Sequence, residues 1–185
     1  MAEKGIIFCT DLIPKILHGT KTVTRRCHTT LRYAVGDVLR LQECWACVWA
    51  DRIHLPCEPV RADCEWGEKR IVYKADGHIL SIGKWTPGRF MFKWAARPNR
   101  YRVTAAGFVW LQDITEKDAM REGVTITEAH RIVCACFNQR RPDLARIGPA
   151  QQAFSELWEC LNGTRKGWSW DDNPRVARYA FEEIK

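Results

Sequence analysis

The chain has 185 residues, 46% of them apolar and 11% aromatic, with a formal net charge of +7. That composition excludes a disordered or fibrous chain, and the length is that of one domain, residues 1–185, able to bury a core. No run approaches the roughly 18 apolar residues that span a bilayer, so no membrane partner is expected, and the positive balance favours a polyanion, nucleic acid above all.

The first fifteen residues, MAEKGIIFCTDLIPK, are interrupted by charge too early for a signal-peptide core, so a cytoplasmic protein is expected. In DLIPKILHG, Leu12, Ile13, Ile16 and Leu17 recur at helical spacing and Gly19 is the stop. TVTRR is β-prone. VGDVLRLQECWA reads as a Gly-Asp turn entering a strand, with Leu39, Leu41 and Trp45 alternating with Arg40 and Gln42.

Residues 46–98 read as a long excursion. It contains one plausible strand, RIVYKAD, and a stretch, IGKWTPGRFMFKWAARP, that mixes tryptophan and cations with turn formers. RYRVTAAGFVWLQD follows as a strand in which Gly107 is the expected bulge. Helical segments fill about 115–162: Thr115 to a Gly123 stop, a capping box of Thr125 and Glu128, and a proline-initiated helix with a Phe154, Leu157, Trp158, Leu161 stripe ended by Gly163. SWDDNP at 169–174 reads as an Asx-type turn, and the tryptophans there, Trp168 just before it and Trp170 within it, are expected to wall a cleft. RVARYAFEEI closes as a strand with Ala177, Tyr179 and Phe181 on one side. Strands at both ends with helices between them give an α+β fold, expected as a small mixed β-barrel flanked by helices.

Nine cysteines are an odd count in a chain too long to need staples, so reduced thiols are expected. Cys44 and Cys47 followed by Cys57 and Cys64 have the wrong spacing in their second half for a zinc ribbon or finger. No metal or other cofactor is expected.

Six segments in register, ILHGTKTVTRR, YAVGDVLRLQECWA, VYKADG, KWAAR, VWLQDITEKDAMREGV and FSELWECLNG with GWSWDDNP, resemble the ASCH domains of the PUA-like superfamily. The likeness is to their larger phage and prophage forms. It implies a PUA-like barrel with a cleft beside the junction of the first helix and the following strand, and RNA or a nucleoside as ligand. The site motif is similar to that of the branch that removes the acetyl group from 4-N-acetylcytidine, which places the catalytic positions on Lys21, Thr24 and Glu122. Arg25, Arg26, Glu43, Trp45 and Arg97, within the matching segments, are the expected ligand contacts. The chain departs from that branch in its length and in the 46–98 excursion.

A metal-free amide hydrolase needs a nucleophile, a base and help for the leaving amine. Thr24 supplies a hydroxyl, and Lys21 can take its proton only when neutral. Burial and the neighbouring Arg25 and Arg26 push its pKa down, while Glu122 has the opposite effect. In a straight strand, residues 21 and 24 point to opposite faces, so the two meet only if the chain bends at Lys21 or Thr22. The alternatives are a non-catalytic RNA- or DNA-binding module using the same cleft, and a ribonuclease, for which only His18 and His28 lie near the motif. A second constellation, Lys84, Trp85, Arg89, Phe90, Lys93, Trp94 and Arg97, interleaves cations with aromatics. It suits base stacking, or else Trp85 and Trp94 anchor the loop on the barrel.

Overall fold

A computed structural model of the chain describes residues 3–49, 53–54, 69–80, 84–124 and 148–184. Its main sheet has five strands: β1 (Glu3–Ile7), β2 (Val23–Arg26), β3 (Val38–Gln42), β8 (Arg100–Trp110) and β9 (Arg175–Glu183). They lie in the order β1-β3-β8-β9-β2, with β1 and β3 parallel and every other pair antiparallel. Two small antiparallel pairs stand apart from it: β4 (Trp45–Trp49) with β6 (Lys69–Tyr73), and β5 (Ile53–His54) with β7 (Ile79–Leu80). Among the described residues the α-helices are α1 (Ile13–Leu17), α2 (Glu116–Arg121) and α3 (Pro149–Asn162). The mixed, sheet-rich α+β class is thus as expected. The capping box at Thr125 and Glu128 lies outside the described residues.

The sheet buries both faces, and β8 explains how one long strand serves both. Val103 packs with Ile6, Ile16, Leu39 and Phe181 on the face covered by α1, whereas Val109 packs against Phe154, Trp158 and Val176 beside α2 and α3. Six residues apart, the two valines would share a face in a regular strand. The register against β9 slips between Val103 and Ala105, and the extra residue, Thr104, moves everything after it to the other face. Gly107, the expected bulge, instead pairs in register with Arg178. The side-chain pattern, which must switch faces between the two cores, overrides the glycine's local permissiveness.

α2 starts at Thr115, whose hydroxyl accepts the Asp118 N–H at 3.1 Å, and ends at Gly123 with φ +82°. α3 begins on Pro149 and buries Phe154 and Trp158; each such side chain contributes about 1.5–3 kcal/mol. Leu161, expected on the same stripe, is exposed. Gly163 caps the end of the helix as expected; it stays right-handed, its N–H donating to the Glu159 carbonyl at 2.8 Å, and the chain turns left-handed only at Gly167. Trp168 and Trp170 pack on the α3 core rather than walling a cleft, because the Trp158 indole N–H holds the Trp168 carbonyl at 2.8 Å. In place of the expected Asx-type turn, Asp172 accepts the Ser169 N–H and hydroxyl while the Ser169 hydroxyl accepts the Asp172 N–H, a reciprocal box. Among the described residues, no helix is long and apolar enough to cross a membrane.

Candidate functional site

The turn after α1 decides where Lys21 points. The Lys15 carbonyl receives the N–H groups of Thr20 and Lys21 and the Thr20 hydroxyl, all within 2.9–3.0 Å. With Gly19 at φ +71°, this folds the chain back before the strand begins. Thr22 then donates its N–H to the Arg121 carbonyl and accepts that of Phe181, which seats the entry to β2 between α2 and β9. The fold-back at Gly19 lies upstream of Lys21 or Thr22, where the bend was expected, and β2 begins at Val23. Lys21 and Thr24 line one cavity of about 500 Å³, and Glu122 at the end of α2 lines it with them.

All three side chains are buried. Lys21 Nζ donates to the Val23 carbonyl at 2.9 Å, the Glu122 carbonyl at 2.7 Å and Glu122 Oε2 at 2.8 Å. Those are three acceptors for the three protons of an ammonium. Burial lowers the Lys21 pKa from its ordinary value, against the opposing pull of Glu122, and Arg26 adds to the lowering. Glu122 Oε1 accepts Arg25 Nη1 at 3.1 Å, so one carboxylate bridges two buried cations. Thr24 makes no side-chain hydrogen bond among the described residues, and its hydroxyl is available to a ligand in the cavity.

Asp118 supports this pair. It lies one helical turn before Glu122, where i, i+4 spacing puts both carboxylates on one face. It accepts Arg25 Nη2 at 3.2 Å and both Arg178 Nε (2.9 Å) and Nη2 (3.0 Å). Burial would raise its pKa, but the hydrogen bonds and charges of Arg178 and Arg25 hold it below the ordinary carboxylate range. Gly123 completes the packing, since a Cβ there would stand 3.1–3.2 Å from side-chain carbons of Lys15 and Lys21.

The cavity mouth is basic. Arg26 lies over the Phe8 ring at 4.6 Å and donates to the Ile7 carbonyl at 2.7 Å, while its buried Nε–H has no partner. Arg32, Arg165 and His28 share the lining, and no carboxylate pairs with Arg26, Arg32 or Arg165 among the described residues. Burial, then the charges of Arg32 and Arg26, lower the His28 pKa. Phe8, Phe154 and Trp158 supply apolar wall.

No family model, curated protein or solved structure matches this chain.

Arg25 and Arg26 line the cavity as expected for ligand contacts, although Arg25 is spent on Glu122 and Asp118. Glu43, Trp45 and Arg97 do not line it. Arg97 forms a two-point pair with Glu43 (2.6 and 3.2 Å), reaches Asp76 at 2.5 Å and stacks over Tyr73 at 4.1 Å. Burial pushes the Glu43 carboxyl up, against the pull of Arg97. These contacts tie the segment after β7 to β4 and β6, and Trp45 packs there with Ile71, Met91 and Ala95. Asp118, Arg178, Arg32 and Arg165 were not anticipated. The i, i+4 relation of Asp118 to Glu122 was the signal within α2; the arginines carry no local signal, because topology alone brings Arg32 and Arg165 to the cavity and Arg178 to Asp118.

Among the described residues no group of three or more His, Cys, Asp and Glu side chains is placed to hold a metal ion. Of the four cysteines in the spacing considered, Cys44 is half-buried and Cys47 exposed, while Cys57 and Cys64 lie outside the described residues.

Proposed function

We propose that this chain is an ASCH-type protein of PUA-like fold whose basic cavity binds RNA or a modified nucleoside and hydrolyses an N-acyl amide there, with 4-N-acetylcytidine as the reference substrate. One observation carries this reading. Lys21 and Glu122 are 101 positions apart, yet meet at 2.8 Å beside Thr24 in a single cavity. The sequence resemblance assigns the chemistry to these same three positions. The barrel of that fold is supported where the two edge strands approach, Arg26 at the end of β2 bonding the Ile7 carbonyl at the end of β1.

In this reading Thr24 Oγ attacks the acyl carbon, and its proton passes to Lys21 in the neutral form that burial favours. The C–N bond of the tetrahedral intermediate breaks as Lys21 returns that proton to the leaving amine. Water then hydrolyses the threonyl ester with Lys21 again as base, giving a carboxylic acid and the free amine. Glu122 holds the lysine side chain and the Arg25 guanidinium in place. Ligand entry that excludes water lowers the lysine pKa further.

Incubation with 4-N-acetylcytidine, followed chromatographically, tests the reading. The expected result is cytidine and acetate, with kcat/KM lowered about 10²–10⁴-fold in Lys21→Ala and in Thr24→Ala. A wild-type protein that leaves the substrate intact overturns it. A second reading, a binding module without turnover, is favoured by one specific feature: the three acceptors around Lys21 Nζ match the charged form, and catalysis must release one of them. Binding of 4-N-acetylcytidine without turnover selects that reading.

A further inference from the structure

The second constellation of cations and aromatics lies outside the cavity. No Asp or Glu occurs between Asp76 and Asp113, and the segment within that gap carries Lys84, Arg89 and Lys93. Thr86 exchanges two backbone hydrogen bonds with Trp45 (3.0 and 2.8 Å), which pins the segment to β4. Two single 3-10 turns follow, Gly88–Phe90 and Lys93–Ala95. Met91 (6% exposed) and Ala95 (0%) bury into the small core with Trp45. With these two as anchors, the three side chains between them face outward. Trp94, expected as an anchor of the loop, is 61% exposed and Phe92 59%.

The exposed rings are not loosely arranged. Phe92 and Trp94 lie parallel, 8° apart in plane with centroids at 5.7 Å. The buried Trp45 ring stands edge-on to both, at 6.1 and 5.7 Å. A ring fixed in the core thus sets the plane of two rings at the surface. Phe90, 58% exposed, carries the Arg89 guanidinium over its face at 4.8 Å. Leaving three such side chains in water forgoes a large burial gain, and a cluster of that kind marks an interaction surface. Flat rings with cations between them and no carboxylate in the segment match one partner chemistry: bases stacked on the rings, with phosphates on the cations. A second copy of this chain would bring Arg89 and Lys93 against their own kind.

We propose that Phe90, Phe92 and Trp94 form a stacking platform for single-stranded nucleic acid, with Arg89 and Lys93 on its phosphates. The proposal stands apart from the cavity, since none of these residues lines it. Fluorescence anisotropy with labelled ten-residue oligouridylate and oligothymidylate tests it across a salt series. Wild type binds, and log K falls linearly with log salt. Phe92→Ala/Trp94→Ala binds about 10- to 100-fold more weakly. It keeps the wild-type melting temperature and the wild-type behaviour toward 4-N-acetylcytidine, so failure of the platform and failure of the cavity reading are separable. If that variant does not fold, Arg89→Ala/Lys93→Ala decides the matter by a shallower salt slope, reduced by about 1.4. No wild-type binding, or an unchanged affinity and slope in the variants, overturns the platform. So does a wild-type dimer in sedimentation equilibrium that the ring variant dissolves without loss of oligonucleotide affinity.

Discussion

Lys21 is held by two opposing influences. Its burial favours the neutral amine, and the Glu122 carboxylate at 2.8 Å favours the ammonium. Their balance leaves its pKa below the ordinary 10.5. A base that must be neutral gives a rate that rises with pH and levels off above its pKa. Under the proposed hydrolysis, the kcat/KM profile for 4-N-acetylcytidine is therefore expected to show a rising limb centred below 10.5. Glu122→Gln keeps the shape of the side chain and removes its charge, and with it a contribution that raises the lysine pKa. The limb then moves to lower pH even as maximal rate falls. A limb that stays fixed or moves upward in Glu122→Gln means that Lys21 is not the titrating base. Thr24 has no pKa in this range and leaves the limb in place when replaced by serine.

Among the elements, α2 matters more than its six residues suggest, because Asp118 ties it to two strands at once, to β2 through Arg25 and to β9 through Arg178. The Asp118 pKa is depressed in the folded chain. The linked stability is fully present above the unfolded value of about 3.9 and is lost as pH falls through the lower folded value. Asp118→Asn costs about 2 kcal/mol at pH 7, and its unfolding free energy, measured in urea, falls less steeply than wild type below pH 4. Equal acid sensitivity in both proteins would remove Asp118 from this role. Elements of this kind were partly legible in the sequence. The Thr115 cap, the Gly19 and Gly123 stops and the alternation of β3 rest on neighbouring residues, and the structure has them where local chemistry puts them. The Thr104 bulge was not legible, because it answers to cores formed by distant elements. Nor was the outward display of Trp94: tryptophan usually reads as an anchor, and here Met91 and Ala95 take that part. The site was legible to the extent that Lys21, Thr24 and Glu122 line one cavity. Its arginine rim was not, because Arg32, whose N–H donates to the Tyr179 hydroxyl, and Arg165, just past α3, meet at the cavity only through contacts distant in the chain.

At the scale of the whole molecule, 29 lysines and arginines stand against 22 aspartates and glutamates. Glu3, Asp37, Glu43, Asp76, Asp118 and Glu122 are already committed to internal ion pairs. The excess is therefore unneutralised where a ligand meets it, and in the cavity it falls on Arg26, Arg32 and Arg165. A nucleoside leaves that charge uncompensated, whereas its 5′-monophosphate brings two negative charges to it. Attraction between unit charges about 4 Å apart near a protein surface is of order 4 kcal/mol before screening and desolvation reduce it. The monophosphate of 4-N-acetylcytidine should thus raise the melting temperature more than the nucleoside at equal concentration, since stabilisation follows ligand concentration over Kd. The difference should shrink with added salt, and Arg165→Ala should narrow it, because that guanidinium forms no ion pair within the described chain and its loss leaves no carboxylate unpaired. Equal thermal shifts for the two ligands at low salt would instead assign the arginine rim to steering ligands toward the cavity, since long-range attraction raises the rate of encounter without adding a contact to the bound state.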